Sequence, residues 1–404
     1  MGFQVTLRVM GNLAFRRERV NRVDRRVPLV DHAPGMAVAR RWGERMRILG
    51  LESSCDETAA AVLDADARVL ANVISSQIPV HAKYGGVVPE LASRNHLLAI
   101  LPLISKVLQD SHTPLSEIDA IAVTVGPGLI GSLLIGLQTA KVLAMASDLP
   151  LVGVDHVEAH VRAIFLDDPI AFGPAPARPT GPYLALAVSG GHTSLYRVET
   201  EVKRGVLHDD CRLLAHTLDD AAGEAFDKVA KLLGLPYPGG VAIDHESENG
   251  DPTAFRFPLP LRSPKKHVFS FSGLKTAARL AIEGVGGPLS DGARADLAAS
   301  FQEAVVGHLV HKTFQVADAH GLTEIVVSGG VAANRRLRSV FAETARRRGL
   351  KLFLTPTVYC TDNAAMIAGL GLRRLAQGDC YRGAASRRLD AYANRAFRSG
   401  VRRG

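Results

Sequence analysis

The chain has no run of eighteen uncharged apolar residues; even its most apolar stretch, 121–137, is broken by Gly126, Pro127, Gly128 and Gly131. A segment so interrupted does not supply a membrane-spanning helix, so no bilayer crossing is expected. Cysteine is also scarce: Cys55, Cys211, Cys360 and Cys380 are scattered without CxxC spacing. That pattern argues against a disulfide framework and fits a reducing compartment, so a cytoplasmic protein is expected. Nor is there an HExxH signature, which excludes the usual zinc-peptidase arrangement of a glutamate directly after the first histidine.

What is present is a 404-residue chain of 47% hydrophobic and 22% charged residues, enough to bury two or three domain cores. The formal net charge of +8 is unevenly spread. Residues 1–45 hold ten arginines against four acids and residues 381–404 hold seven against one, so 46–380 carry a net −4. The arginine-rich ends read either as nucleic-acid contacts or as solvated tails. Residues 1–45 lack hydrophobic periodicity and are expected to be a disordered extension, either a transit segment or the product of an upstream start, because Met46-Arg47-Ile48-Leu49-Gly50 reads as a chain start running into a buried strand.

A duplicated pattern follows. A short apolar strand from Ile48 enters the polar turn Ser53-Ser54-Cys55-Asp56-Glu57-Thr58 and returns as a second strand, Ala59 to Leu63. About 135 residues later Tyr183 to Val188 leads through Ser189-Gly190-Gly191-His192-Thr193 into the strand Ser194 to Val198. Small and hydroxylated tips of this kind let backbone N–H groups approach phosphate oxygens. A third glycine turn, Ser328-Gly329-Gly330, joins a buried strand to a helix starting near Asn334, whose N-terminus suits a phosphate or an adenosine. Three such turns in this order resemble the two-lobed α/β fold of actin, sugar kinases and the Hsp70 ATPase domain, with a duplicated mixed-sheet core. The expected boundaries are 1–45 extension, 46–165 first lobe completed by a helix near 362–377, 183–361 second lobe, and 378–404 basic tail.

Two further segments carry candidate chemistry. Asp219-Asp220 opens a predicted helix through Leu233, and Asp227 falls on the same face as Asp220; the acids either present carboxylates to a ligand or stabilise the helix start. His156-Val157-Glu158-Ala159-His160 follows the strand Leu151 to Val154, with Asp155 as a helix cap. Helical spacing puts both imidazoles on one face, close enough to share a metal, although an isolated HxxxH is more often structural. Asp362, at the start of an apolar helix, is either the third ligand of a His₂Asp site or that helix's cap.

The segments LGLESSCDET, HAKYGGVVPELASRNH, GPGLIGSLLIG, DHVEAH, VSGGHT, LDDAAGEAFDKVAKLLGLPYPGG, FSFSGLKTA, SGGVAANRRLR and YCTDNAAM, running in order from about 47 to 376, closely resemble the tRNA threonylcarbamoyladenosine transferase family. The resemblance implies that His156, His160 and Asp362 ligate one divalent metal ion, iron ahead of zinc. It implies substrate contacts at Val188, Ser189, Gly190, Gly191, His192, Asp227, Gly240, Asp244 and Asn334, and catalytic acids at Asp56 and Glu57. It further implies transfer of threonylcarbamoyl from threonylcarbamoyl-AMP to N6 of the adenosine beside the anticodon. The implied partners are tRNA, a TsaB-like paralogue bound through the first lobe and a TsaE-like ATPase, or a second copy of the chain in a mitochondrial member. The chain departs from the family where Val241 replaces the usual proline and His245-Glu246-Ser247-Glu248 follows, and in the Pro-rich stretch 167–182. A non-catalytic scaffold of the same fold is the rival reading, and it predicts loss of the histidine pair, which is intact.

Overall fold

The computed structural model describes residues 46–173, 176–203, 206–258 and 267–393. The expected extension at 1–45 and the last part of the basic tail lie outside these residues. Among the described residues eleven strands run in chain order: β1 Arg47–Glu52, β2 Glu57–Asp64, β3 Val69–Ser76, β4 Ala120–Gly126, β5 Leu151–Asp155, β6 Tyr183–Val188, β7 Thr193–Lys203, β8 Val206–Thr217, β9 Val268–Phe269, β10 Glu324–Ser328 and β11 Lys351–Leu354. The helices that matter are α1 Pro89–Asp110, α2 Ile130–Ala146, α3 His156–Arg162, α4 Ala222–Leu232, α5 Gly239–Glu246, α6 Ser272–Gly284, α7 Asp291–His320, α8 Arg335–Arg348 and α9 Ala364–Ala376.

The first sheet has the order β3-β2-β1-β4-β5 and the second β11-β10-β6-β7-β8-β9. In each, an antiparallel meander (β1-β2-β3; β6-β7-β8) is extended by two parallel strands (β4, β5; β10, β11). The sequence duplication is thus a duplication of topology, with β9 added beyond β8. Central strands are buried on both faces, which is why β6 reads as an unbroken apolar run and β4 as one interrupted only by Thr124, rather than as alternating ones.

Side-chain alternation assigns each face its cover. Leu49, Leu51, Ala60 and Val62 pack against α1 and α2 through Ile100, Ile104, Leu137 and Ala140. Ile48, Ala59, Ala61 and Leu63 pack against α9 through Ala365, Ala368 and Leu372. In the second sheet Leu184, Leu186, Ile325 and Val327 meet α4, α7 and α8 through Phe226, Phe301 and Phe341. Its other face, with Tyr183, Ala185, Ala187 and Val326, is filled by Val157 and Val161 of α3 and by Ile164 in the turn that follows it. Ala159 of α3 and Ala163, the residue just after it, go to the first core. The helix carrying the histidine pair is therefore seated between the two sheets.

Gly50 shows how closely α9 lies on β1. A Cβ there would come 2.5 Å from the Ala364 carbonyl oxygen and 2.9 Å from the Ala368 Cβ. Both obstacles belong to a buried helix that cannot swing aside, so Gly50→Ala is expected to cost about 1–3 kcal/mol by overpacking. Denaturant unfolding with an unchanged m-value checks this; wild-type stability would show that α9 is free to shift.

Candidate metal centre between the two sheets

α3 begins directly after β5, and its start is set by Asp155, whose carboxylate accepts hydrogen bonds from the Val157 and Glu158 N–H groups, both at 3.0 Å. A cap of this kind contributes about 1 kcal/mol to the helix. The other Asp155 oxygen accepts the Tyr392 hydroxyl at 2.6 Å. One turn apart on α3, the rings of His156 and His160 stand edge to face with centroids 4.8 Å apart. Asp362 Oδ1 lies 3.0 Å from His160 Nε2 and 3.4 Å from His156 Nε2. Among the described residues, these three side chains bring their donor atoms within 4.8 Å of one another.

Asp362 belongs to neither sheet. It sits where the chain leaves β11 and crosses back to α9, which packs on the first sheet, so the crossing itself carries the carboxylate. Nor is Asp362 the helix cap: Asn363 fills that role, its side-chain oxygen accepting the Met366 N–H at 3.0 Å. Its carboxylate is left to the histidines, and its side chain is 20% exposed against 6% and 4% for His156 and His160, so the cluster opens on the Asp362 side.

Electrostatics suit a cation. Burial opposes ionisation of Asp362, yet His156 and His160 outweigh it and hold the carboxyl well below its usual range. Burial likewise opposes a charge on His156, but Asp362 and Glu52 hold its imidazolium well above the usual value. Burial lowers His160. Two carboxylates thus gather positive charge at one imidazole, a place a divalent ion takes when it displaces the proton. Two imidazole nitrogens and one carboxylate oxygen converging with an open side fit a His₂Asp donor set.

Behind His156 stands Glu52, which the motif reading did not single out. It is fully buried on β1, with Oε2 3.1 Å from His156 Nδ1. The Thr124 hydroxyl donates to the same oxygen at 2.6 Å.

The tip between β6 and β7 hangs over the cluster. The Ser189 N–H donates to the His192 carbonyl at 2.8 Å and the His192 N–H to Ser189 Oγ at 3.2 Å, closing a tight turn at the end of Val188. Gly190 and Gly191 have open space where a Cβ would stand. The His192 ring lies 6.4 Å from that of His156, and burial with the two neighbouring imidazoles drops its pKa to about 4, so it is neutral. Gly329, with φ +98°, lets the third glycine turn press against the Val188 backbone, where any side chain would collide.

The acids form a second group beside the first. Burial, with the Asp362 charge, raises Asp56. Glu57 opens β2; Oε1 accepts the Ser76 hydroxyl at 2.8 Å, Oε2 is buried without a partner, and burial pushes its carboxyl up to about 7. Asp227 accepts the Gly239 N–H at 2.7 Å and is raised to about 6 by burial and by Asp56, while Gly240 adds a second N–H to it. The Tyr237 phenol, raised by burial and by Asp56 and Asp227, belongs to this group and lies in the LPYPGG segment without being singled out there.

Asp244 and Asn334 each also have protein partners. Asp244 pairs with Arg335 at 2.8 Å, and Glu248 and Glu246, from the departing segment, pair with Arg335 and Arg294. Asn334 caps α8 through Leu337 N–H at 2.8 Å and donates to Gln302 at 2.6 Å. The expected first-turn acids also sit differently, because α4 starts later, at Ala222. Asp219 instead accepts the Phe271 and Ser272 N–H groups at the start of α6, and Asp220 pairs with Lys228 and Lys275.

The family described as "TsaD: tRNA N6-adenosine threonylcarbamoyltransferase" matches residues 68–369. A curated protein of that name from Anaeromyxobacter dehalogenans (strain 2CP-C) is 51% identical over 334 residues, 82% of this chain and 95% of its own. Another, from Geobacter sulfurreducens, is 51% identical over 323 residues, 80% of this chain and 90% of its own. The chain belongs to the TsaD family. Its fold is the two-lobed, duplicated α/β architecture expected; HypF from T. kodakarensis matches it with a TM-score of 0.51 at 15% identity, over 81% of this chain and 47% of that one. In this TsaD-family chain Glu158 pairs with Arg162 and Arg374 at 3.3 and 2.7 Å, away from the donor cluster, which leaves the peptidase arrangement without its glutamate.

Proposed function

We propose that this chain transfers the threonylcarbamoyl group from threonylcarbamoyl-AMP to N6 of adenosine 37, beside the anticodon, in tRNAs that read ANN codons, forming t6A and releasing AMP. The observation that carries this reading is the convergence of His156, His160 and Asp362 beneath the Ser189–His192 tip, in a chain half identical to curated transferases of that name. His156, His160 and Asp362 would hold one divalent ion, iron ahead of zinc, which when bound polarises a carbonyl as a Lewis acid.

The chain's own groups supply the rest. Backbone N–H groups at Gly190 and Gly191, with no side chain in the way, receive phosphate oxygens of the adenylate. Val188, Ser189 and His192 shape that tip, and Asp227, Gly240, Asp244 and Asn334 line the second-lobe side, Asp227 holding the start of α5. Glu57, poised near neutrality and with one oxygen free of hydrogen bonds, accepts the proton that N6 releases as the N–C bond forms and the C–O bond to AMP breaks; Asp56 stands beside it.

tRNA is the acceptor, and a net −4 over residues 46–380 supports help from partners or the arginine-rich tail in binding it. α1 and α2 pack side by side on the first lobe and leave Leu97, Leu98, Leu101, Leu134 and Val142 exposed. An apolar surface of that kind supports docking of a TsaB-like paralogue, with a TsaE-like ATPase completing the set, or a second copy in a mitochondrial setting. No described helix is long and apolar enough to cross a membrane. That Cys55, Cys211, Cys360 and Cys380 form no disulfide supports a cytoplasmic setting.

The test combines the purified chain and its partners with threonylcarbamoyl-AMP and unmodified tRNA, followed by nucleoside mass spectrometry. The expected product is t6A with stoichiometric AMP; unmodified adenosine throughout sinks the reading.

A further inference from the structure

We propose that Glu52 is the positioning residue of the metal centre: it fixes the tautomer of His156 and ties that ligand to the turn bearing Asp56 and Glu57. The inference rests on the metal reading above and names the group that prepares the site for its ion.

The geometry admits few alternatives. Glu52 ends β1, with no exposed surface, between the neighbouring strand β4 and the N-terminus of α3. Its two oxygens meet three donors. Oε1 accepts the Ser54 N–H at 2.5 Å, and Oε2 accepts the Thr124 hydroxyl at 2.6 Å and faces His156 Nδ1 at 3.1 Å. A carboxylate accepts at every lone pair and satisfies all three, whereas a carboxamide must aim an N–H at one of them. Ser54 Oγ also lies 3.2 Å from His156 Nδ1, but a hydroxyl can turn away whereas the carboxylate can only accept; when an ion displaces the Nε2 proton, Nδ1–H stays with Glu52 and the lone pair is left on Nε2, the atom aimed at Asp362.

The two histidines are therefore unequal. His160 Nδ1 is buried with no partner, and what holds that residue is its backbone, whose carbonyl accepts the Ser328 hydroxyl at 2.7 Å. His156 is the ligand whose ring is oriented by a charge. The same carboxylate, through Ser54, also holds the beginning of the turn that leads into Asp56 and Glu57.

The experiment titrates purified apo wild type, Glu52→Gln and Thr124→Val with Zn(II) against a chromophoric chelator, and records the visible spectrum of each protein loaded with Co(II). Glu52→Gln is expected to weaken Zn(II) by about 10- to 100-fold and to change the Co(II) ligand-field bands, while circular dichroism of the apo protein stays that of wild type. Thr124→Val, which keeps the charge but removes one donor, is expected to weaken Zn(II) by a smaller factor of about 2–5 and decides the matter should Glu52→Gln fail to fold. Zn(II) affinity within twofold of wild type in folded Glu52→Gln, or an unchanged Thr124→Val in the other case, overturns the role of Glu52 and leaves the metal reading standing. A wild-type chain that binds no Zn(II) or Co(II) overturns both.

Discussion

Asp362→Asn is expected to lower single-turnover formation of t6A by about 1000-fold or more, with loss of bound metal and little loss of stability. The substitution keeps the shape of the side chain and removes the charge toward which His160 and His156 turn, at 3.0 and 3.4 Å. The fold is spared because Asn363, one residue on, caps α9. Asn363→Ala makes the complementary case: the Met366 N–H loses its acceptor, stability falls by about 1 kcal/mol, and metal content stays. Metal analysis, rapid-quench kinetics and thermal melts on the two variants separate the donor from the cap. A wild-type rate and full metal content in Asp362→Asn would remove Asp362 from the site.

Glu57→Gln is expected to make the protein both slower and more stable. One Glu57 oxygen lies buried without a partner, and burial raises the carboxyl from 4.5 to about 7. A carboxyl raised in the folded state binds its proton more tightly there than in the unfolded chain. Its contribution is therefore fully favourable below about pH 4.5 and is lost as pH rises through about 7. Gln never ionises and can still accept the Ser76 hydroxyl. The melting temperatures of variant and wild type should thus coincide near pH 4.5 and separate up to about pH 8, where the gap is worth about 1–2 kcal/mol once solvent screening of a partly exposed group is allowed for. Transfer should fall by about 100-fold with the loss of the proton acceptor. An equal gap at both pH values would place the penalty elsewhere, and wild-type turnover would free Glu57 from proton transfer.

Both effects arise at residues whose neighbours lie far away in sequence, and that separates what was legible from what was not. The Ser53–Thr58 and Ser189–Thr193 turns, the near-continuous apolar runs of β4 and β6 and the cap at Asp155 are local features: backbone hydrogen bonding and side-chain period act over a few residues, so composition and spacing suffice to read them. The four-residue step from His156 to His160 is of the same kind. The acids at 219 and 220 misled for a related reason. A carboxylate before a helix suits the dipole of that helix, yet Asp219 is drawn instead to the Phe271 and Ser272 N–H groups about fifty residues on.

The amino-acid order by itself determined the duplicated strand-turn-strand units, the helix that sets two imidazoles on one face, and the family to which the chain belongs. Tertiary structure alone decided that Asp362 rather than Asn363 is free for those imidazoles, that Glu52 stands behind one of them, and that Asp56, Asp227 and Tyr237 share one half-buried region. The physical reason is that burial and the sum of nearby charges depend on which distant segments meet. α3 is pressed between two sheets whose strands are scattered along the chain, and its histidines take their partners from β1 and from the crossing into α9.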